Sequence, residues 1–215
     1  MQVALVHEWF NEVAGSEKCV AEFNRLYPQA DIFTLVDWLD EDNRTSLLSG
    51  KRTHTSFIQR LPFARKHFRT YLPLFPIAIE QFNLEKYDLV LSSSHLVAKG
   101  VLTHQGQLHV CYCHTPVRYA WDMYHDYLRG GNLQNSSVRS WPSRYTLHKL
   151  RVWDVASSYR VDHFIANSQY IRRRIQKIYR RDATVIYPPV DTTRFSLSTD
   201  KEDYYLAFSR LVPYK

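Results

Sequence analysis

Short runs that are apolar at successive positions, not at every second one, recur along this chain. They are "QVALVHE" (2–8), "DIFTLVDW" (31–38), "YDLVLSSS" (87–94), "LHVCYCHTP" (108–116), "DHFIANS" (162–168) and "ATVIYPPVD" (183–191), with "KRTHTSF" (51–57) as a weaker candidate. A strand with one wet face alternates apolar and polar residues. A strand covered on both faces does not, and such strands belong to parallel sheets. The segments between them carry helical spacing. From Ser16 the residues Val20, Phe23 and Tyr27 fall on one face, and Pro28 ends the run. Residues 64–83 are helical in parts and broken at Pro73 and Pro76. Residues 144–160 form a long helix, and residues 169–181 a helix with Ile171, Ile175 and Ile178 inward. Strands alternating with helices predict an α/β fold: a Rossmann-like parallel sheet with helices on both faces.

In an open sheet of this kind the ligand crevice lies at the carboxyl ends of the strands. The residues expected on that edge are His7 and Glu8, residues 92–95 with His95, the stretch from His114 to Arg118, Asn167 and Ser168, and residues 188–191 ending in Asp191. The stretch "CYCHTPVRYAWD" (111–122) belongs to this edge: a buried strand stops at a histidine, turns on Thr-Pro and enters a helix. A histidine just past a strand end points into the crevice, although a turn histidine that caps the next helix has the same pattern. Gly15 and Ser16 open the first helix, where backbone amides and the helix dipole suit an anion.

Several chemistries are excluded. No G-x-G-x-x-G follows the first strand, no G-x-x-x-x-G-K-[ST] occurs, and no G-x-S-x-G elbow is present. Cys111 and Cys113 share one strand face and lack a second ligand pair at zinc spacing, so they are expected to be small buried hydrophobes and no metal site is expected. Three cysteines without a framework suit a reducing cytoplasm. The opening "MQVALVHEW" is expected to be a strand, not a leader, and no apolar run approaches the roughly 20 residues of a membrane span.

The net charge of +7 is uneven. Six Lys or Arg and no acid lie between Lys51 and Ile79, and six of the ten residues from Arg172 to Arg181 are basic. Such patches call for an anionic partner, and a solvated helix face fits each of them equally well. The stretch "FIQRLPFARKHFRTYLPLF" (57–75) has the mixture of an interfacial segment at an anionic membrane, or of a helical hairpin whose apolar side is core. The helix "IRRRIQKIYRR" is all that a nucleic-acid-binding module would have to work with. No recognition motif surrounds it, and no nucleic acid is expected as a partner.

The segments "VALVHEWF…AGSEK", "YDLVLSSSH", "CYCHTPVRYAWD", "FIANSQYIRRRI", "VIYPPVDTTRF" and "AFSRLVPYK" occur in that order. In this order they resemble the N-terminal half of a retaining, family-four glycosyltransferase of the GT-B fold, especially the bacterial mannosyltransferases that build O-antigen, capsule and exopolysaccharide. The resemblance implies that residues 1–200 are a Rossmann-like acceptor-side domain and that residues 201–215 begin a C-terminal nucleotide-sugar domain. It implies a sugar transferred from a nucleotide sugar, GDP-mannose first, to a glycan or lipid-linked acceptor, with no metal and no cofactor beyond the donor. His114 matches the residue that orients the donor sugar. Gly15 and Ser16 match the pyrophosphate loop, which in the family often has two or more glycines where this chain has one. Arg210 and Lys215 match the cations that neutralise the leaving group. His7, Glu8, His95, Arg118, Asn167, Ser168 and Asp191 are left as acceptor or cleft-edge residues. The expected location is the cytoplasm, peripheral to the inner membrane face. The 215 residues alone are expected to bind donor weakly and to transfer nothing. A non-catalytic acceptor- or membrane-binding relic and a basic nucleic-acid-binding module are the alternatives.

Overall fold

The computed structural model describes residues 1–130, 141–194, 196–197, 199 and 202–205. Seven strands form one sheet: β1 Val3–Phe10, β2 Asp31–Asp37, β3 Thr53–Thr55, β4 Leu89–Ser94, β5 Leu108–Cys113, β6 His163–Ala166 and β7 Ala183–Val185. Their order is β3-β2-β1-β4-β5-β6-β7, and every neighbouring pair is parallel. The expected Rossmann-like sheet is therefore present, with all seven candidate strands in place.

The apolar runs are continuous because both faces are covered. On one face Ala4, Val6, Phe33 and Val90 join residues of the long helix Trp141–Ser158 and of the segment 58–79 in one core. On the other, Val3, Leu5, Ile32 and Leu91 pack with Val20 of α1 (Gly15–Leu26) and with Leu47 and Leu48 of α2 (Glu41–Leu48). The proline-broken segment forms α3 (Ala64–His67), a 3₁₀ turn Phe68–Leu74 containing Pro73, and α4 (Phe75–Glu80) with Pro76 in its first turn. Pro is tolerated there because the first amides of a helix have no intrahelical acceptor. After β5 come α5 (Tyr124–Gly130) and α6 (Trp141–Ser158). Between β6 and β7 lies α7 (Gln169–Tyr179), which buries Ile171, Ile175 and Tyr179 against Cys111, Cys113, Phe164 and Ala166.

Helix α2 has no apolar period and was not foreseen. Its caps make it: the Asp40 carboxylate accepts from the Asn43 amide at 2.8 Å, and Ser49 closes it in the left-handed region at φ 55°.

One polar knot lies inside the apolar layer. Lys99, just past β4, reaches Asp154 of α6 at 2.5 Å. Asp154 also accepts from the Trp121 indole at 2.8 Å and the Tyr179 hydroxyl at 2.9 Å, and both charged partners are buried. Beside the knot, a Cβ added to Gly100 would overlap the Trp153 ring, and Glu80 holds the indole N–H of Trp153 at 2.8 Å. The ring has little room to yield. Gly100→Ala is expected to cost about 1–3 kcal/mol, as overpacking does, and to lower the urea midpoint at unchanged slope.

Candidate functional site

Strand β1 lies beside both β2 and β4, and the chain winds outward from this pair in opposite directions. That reversal leaves a crevice at the carboxyl ends. A cleft of about 860 Å³ sits there. The β1–α1 loop and first turn contribute Glu12, Gly15, Ser16 and Glu17. The segments after β4, β5 and β6 contribute His95, then His114 and Arg118, then Asn167 and Ser168. Trp9, Arg69, Tyr170 and Arg174 complete the wall.

His114 follows β5 directly, and its Nε2 lies 2.8 Å from the Ser93 hydroxyl of β4. Burial, with His95 and His7 nearby, pushes its pKa down to about 3, so the ring is neutral at physiological pH. Asn167 donates to the His114 carbonyl at 3.1 Å, and the Ser168 hydroxyl caps α7 by accepting from the Ile171 amide at 3.3 Å. These two cleft residues therefore also hold the wall together.

The start of α1 differs from the expectation in one respect. Ala14 supplies no side-chain cap, and Glu17 takes that place: its carboxylate accepts from the Ala14 amide at 3.1 Å and the Ser16 hydroxyl at 2.9 Å. Burial would raise the Glu17 pKa, but the His7 imidazole 3.3 Å away outweighs it and brings it to about 2. A carboxylate thus stands at the helix end where an anion was expected. A Cβ on Gly15 would meet no atom within 4 Å, so the fold itself does not demand glycine there.

His7 and Glu8 are not at the strand end. β1 continues to Phe10, which places both within the sheet, fully buried beneath the cleft. The reading from "VHE" put the end of the strand too early because polar residues were taken as its limit. Asp191 is exposed and is not among the cleft-lining residues. Its carboxylate accepts from the Thr193 amide at 3.1 Å. Arg210 and Lys215 lie outside the described residues.

Of the Trp-Asp pair after His114, Trp121 joins the Asp154 knot, while Asp122 lines the cleft and takes two hydrogen bonds from Arg174. The basic helix is likewise largely committed. Arg172 pairs with Asp182, Arg174 with Asp122, and Arg181 donates to the carbonyls of Ser158, Val161 and Asp162. That removes three of six cations from any nucleic-acid surface. Among the wall residues named above, sequence reasoning missed Trp9, Glu12, Glu17, Arg69, Tyr170 and Arg174. Glu17, three residues after Ala14, had the spacing of a capping glutamate. The others carried no local signal.

The buried histidines make the fold sensitive to acid. Burial lowers His95, His109 to about 4 and His114 to about 3, each below the ordinary value near 6.5. The unfolded chain takes up protons below pH 6.5 that the folded chain refuses, so stability falls from there towards pH 3. Glu17, depressed to about 2, adds a further loss from about pH 4.5 down to 2. A falling thermal midpoint between pH 7 and pH 4 is expected, with a shallower fall in His109→Gln. An unchanged midpoint would refute this assignment.

Residues 15–194 match Glycosyltransferase Family 4. Among solved structures, Anabaena Alr3699/HepE in complex with UDP-glucose matches with a TM-score of 0.53 at 14% identity, over 93% of this chain and 47% of that one. The same protein with UDP gives 0.52 at 14%, and with UDP and glucose 0.51 at 16%, with the same coverage. The chain thus spans about half the length of these structures, and at such identities they show the fold alone. A search of curated protein sequences returns no match. The profile covers the first helix, the segments after β4, β5 and β6, and α7, which together build most of the cleft, and on that match the chain belongs to Glycosyltransferase Family 4.

Proposed function

We propose that the cleft is the acceptor-side half of a retaining glycosyltransferase site, which moves a sugar from a nucleotide sugar to a glycan or lipid-linked acceptor. The observation that carries this reading is the switch-point cleft, where the α7 N-terminus opens beside a neutral His114 and the α1 start, capped from within by Glu17, forms the facing wall. Amide ends suit a pyrophosphate. A neutral imidazole offers hydrogen bonds to sugar hydroxyls and no charge, which fits orientation. No base is obligatory where the leaving phosphate can take the acceptor proton. A C-terminal domain is proposed to hold most of the donor, with Arg210 and Lys215 as cations for the leaving group, so this half alone is proposed to bind it weakly.

The donor proposed first is GDP-mannose, from the sequence resemblance, and UDP-glucose is the natural competitor because a similar fold holds it. Calorimetric titration of both, with a chain spanning both halves of the cleft, tests the reading. Micromolar affinity for one of them, weakened by Gly15→Asp, is expected. Absence of binding to either would overturn it.

Membrane contact belongs to the same proposal. The apolar side of residues 57–75 is mostly core: Ile58, Phe68 and Phe75 are buried. Arg69 turns to the cleft and lies over Trp9. Outward there remain Arg60, Arg65, Lys66 and Phe63, whose ring is 80% exposed on a left-handed backbone at φ 56°. Basic side chains at an anionic surface contribute about 1 kcal/mol each. Sedimentation with phosphatidylglycerol vesicles, lost in high salt and reduced by Phe63→Ser, is expected; equal binding to neutral vesicles would count against it.

A further inference from the structure

We propose that Glu8 and His95 form a pair that presents a bare imidazole nitrogen to the cleft as the acceptor for a sugar hydroxyl, with Glu8 a positioning residue acting through His95. The sugar as ligand rests on the glycosyltransferase reading; the pair itself does not.

A carboxylate in the middle of a sheet is retained only if donors surround it. Glu8 Oε1 has four of them. The Ser94 hydroxyl lies at 3.1 Å, and the amides of His95, Leu96 and Ala98 lie at 3.1, 2.8 and 3.0 Å. These groups form the turn after β4, so Glu8 shapes the segment that carries His95. Oε2 receives no hydrogen bond. The group beside it is His95 Nδ1 at 3.3 Å, close enough for a small ring rotation to complete the bond.

An ionised carboxylate can only accept, and it places the single ring proton of His95 on Nδ1. Burial lowers the His95 pKa, which keeps that proton single, although Glu8 opposes this. His7 on β1 and Arg118 after β5 act in the same direction as burial, and Glu17 on α1 acts with Glu8. Nε2 is then a lone-pair acceptor. It makes no hydrogen bond within the described residues, while the side chain is 26% exposed and lines the cleft. Trp9 meets the ring edge-on at 4.8 Å and fixes its plane. His114 is arranged differently, since its Nε2 already faces the Ser93 hydroxyl. The two cleft histidines, with ring centroids 6.5 Å apart, therefore offer different atoms to a ligand.

The test is the tautomer. In protein labelled with ¹⁵N-histidine, long-range ¹H–¹⁵N spectra at neutral pH are expected to show His95 protonated at Nδ1 and bare at Nε2, with the signal identified by its loss in His95→Gln. Glu8→Gln puts an amide donor within reach of Nδ1 and is expected to invert the tautomer. A parent ring protonated at Nε2, or a tautomer that Glu8→Gln does not move, overturns the pair. If Glu8→Gln does not fold, the parent spectrum alone decides. Millimolar UDP-glucose is expected to shift the His95 Nε2 resonance together with the Gly15 and Ser168 amides. Shifts at Gly15 and Ser168 with Nε2 unmoved overturn the ligand role of His95. No shift at any of the three, with UDP-glucose and with GDP-mannose titrated separately, overturns the nucleotide-sugar reading, and with it the sugar as ligand.

Discussion

Asp154→Ala is expected to destabilise the protein by about 3–5 kcal/mol, the range for removing one partner of a buried ion pair. Three donors lose their acceptor at once: Lys99, Trp121 and Tyr179. The lysine matters most, since Lys99 is 1% exposed and has only the Leu96 carbonyl at 3.3 Å in reserve. The Trp153 and Tyr179 rings beneath its ammonium, at 5.4 and 5.3 Å, offset part of the loss. Urea unfolding measures the effect. The paired replacement Lys99→Met with Asp154→Leu is expected to recover part of the stability, because no charge is then left buried while the Trp121 and Tyr179 donors still lack their acceptor. A loss below about 1 kcal/mol in Asp154→Ala would mean that Lys99 finds water, and the knot would then hold nothing.

His114→Ala is expected to lower sugar transfer by roughly 10²-fold, about 2.7 kcal/mol of barrier, in a chain that carries both halves of the cleft. The fold should survive. The ring follows β5 and is not in the sheet, and the loss costs one side-chain hydrogen bond, to the buried Ser93 hydroxyl. Steady-state turnover read together with a thermal midpoint separates the outcomes. Turnover within a factor of two or three of the parent removes His114 from the site. A collapsed midpoint with specific activity retained per folded molecule would make it a cap of the following turn. Glu8→Gln should differ from both, since it removes no cleft side chain and changes which nitrogen of the His95 ring carries the proton.

The sheet was legible because burial on both faces writes itself into consecutive apolar residues. Helices α1 and α7 followed from the spacing of their apolar residues. Helix α2 was not legible, since "EDNRTSLL" has only two inward residues and is made by Asp40 and Ser49 at its ends. The cleft edge was legible as positions after strands, which brought Gly15, Ser16, His95, His114, Arg118, Asn167 and Ser168 together. What each residue does there was not. Glu8 meets its donors 86 to 90 residues away, and Asp122 meets Arg174 across 52. No local pattern encodes contacts at such separations. The basic helix shows the same limit from the other side: its charge run suggested a ligand surface, and distant acids and helix-end carbonyls turned out to be the partners of half its cations.

The order of synthesis gives the Glu8 carboxylate a second meaning. With every strand parallel, no two strands can pair as a hairpin, and each contact must wait for a crossover. Strand β1 emerges first, yet one of its two neighbours is β4, and the amides that satisfy Glu8 end only at Ala98. Until about that length has left the ribosome, the middle of the sheet carries a carboxylate without donors, which resists burial and keeps the early strands from closing on the wrong partner. Such long-range closure also makes folding slow for a chain of this size.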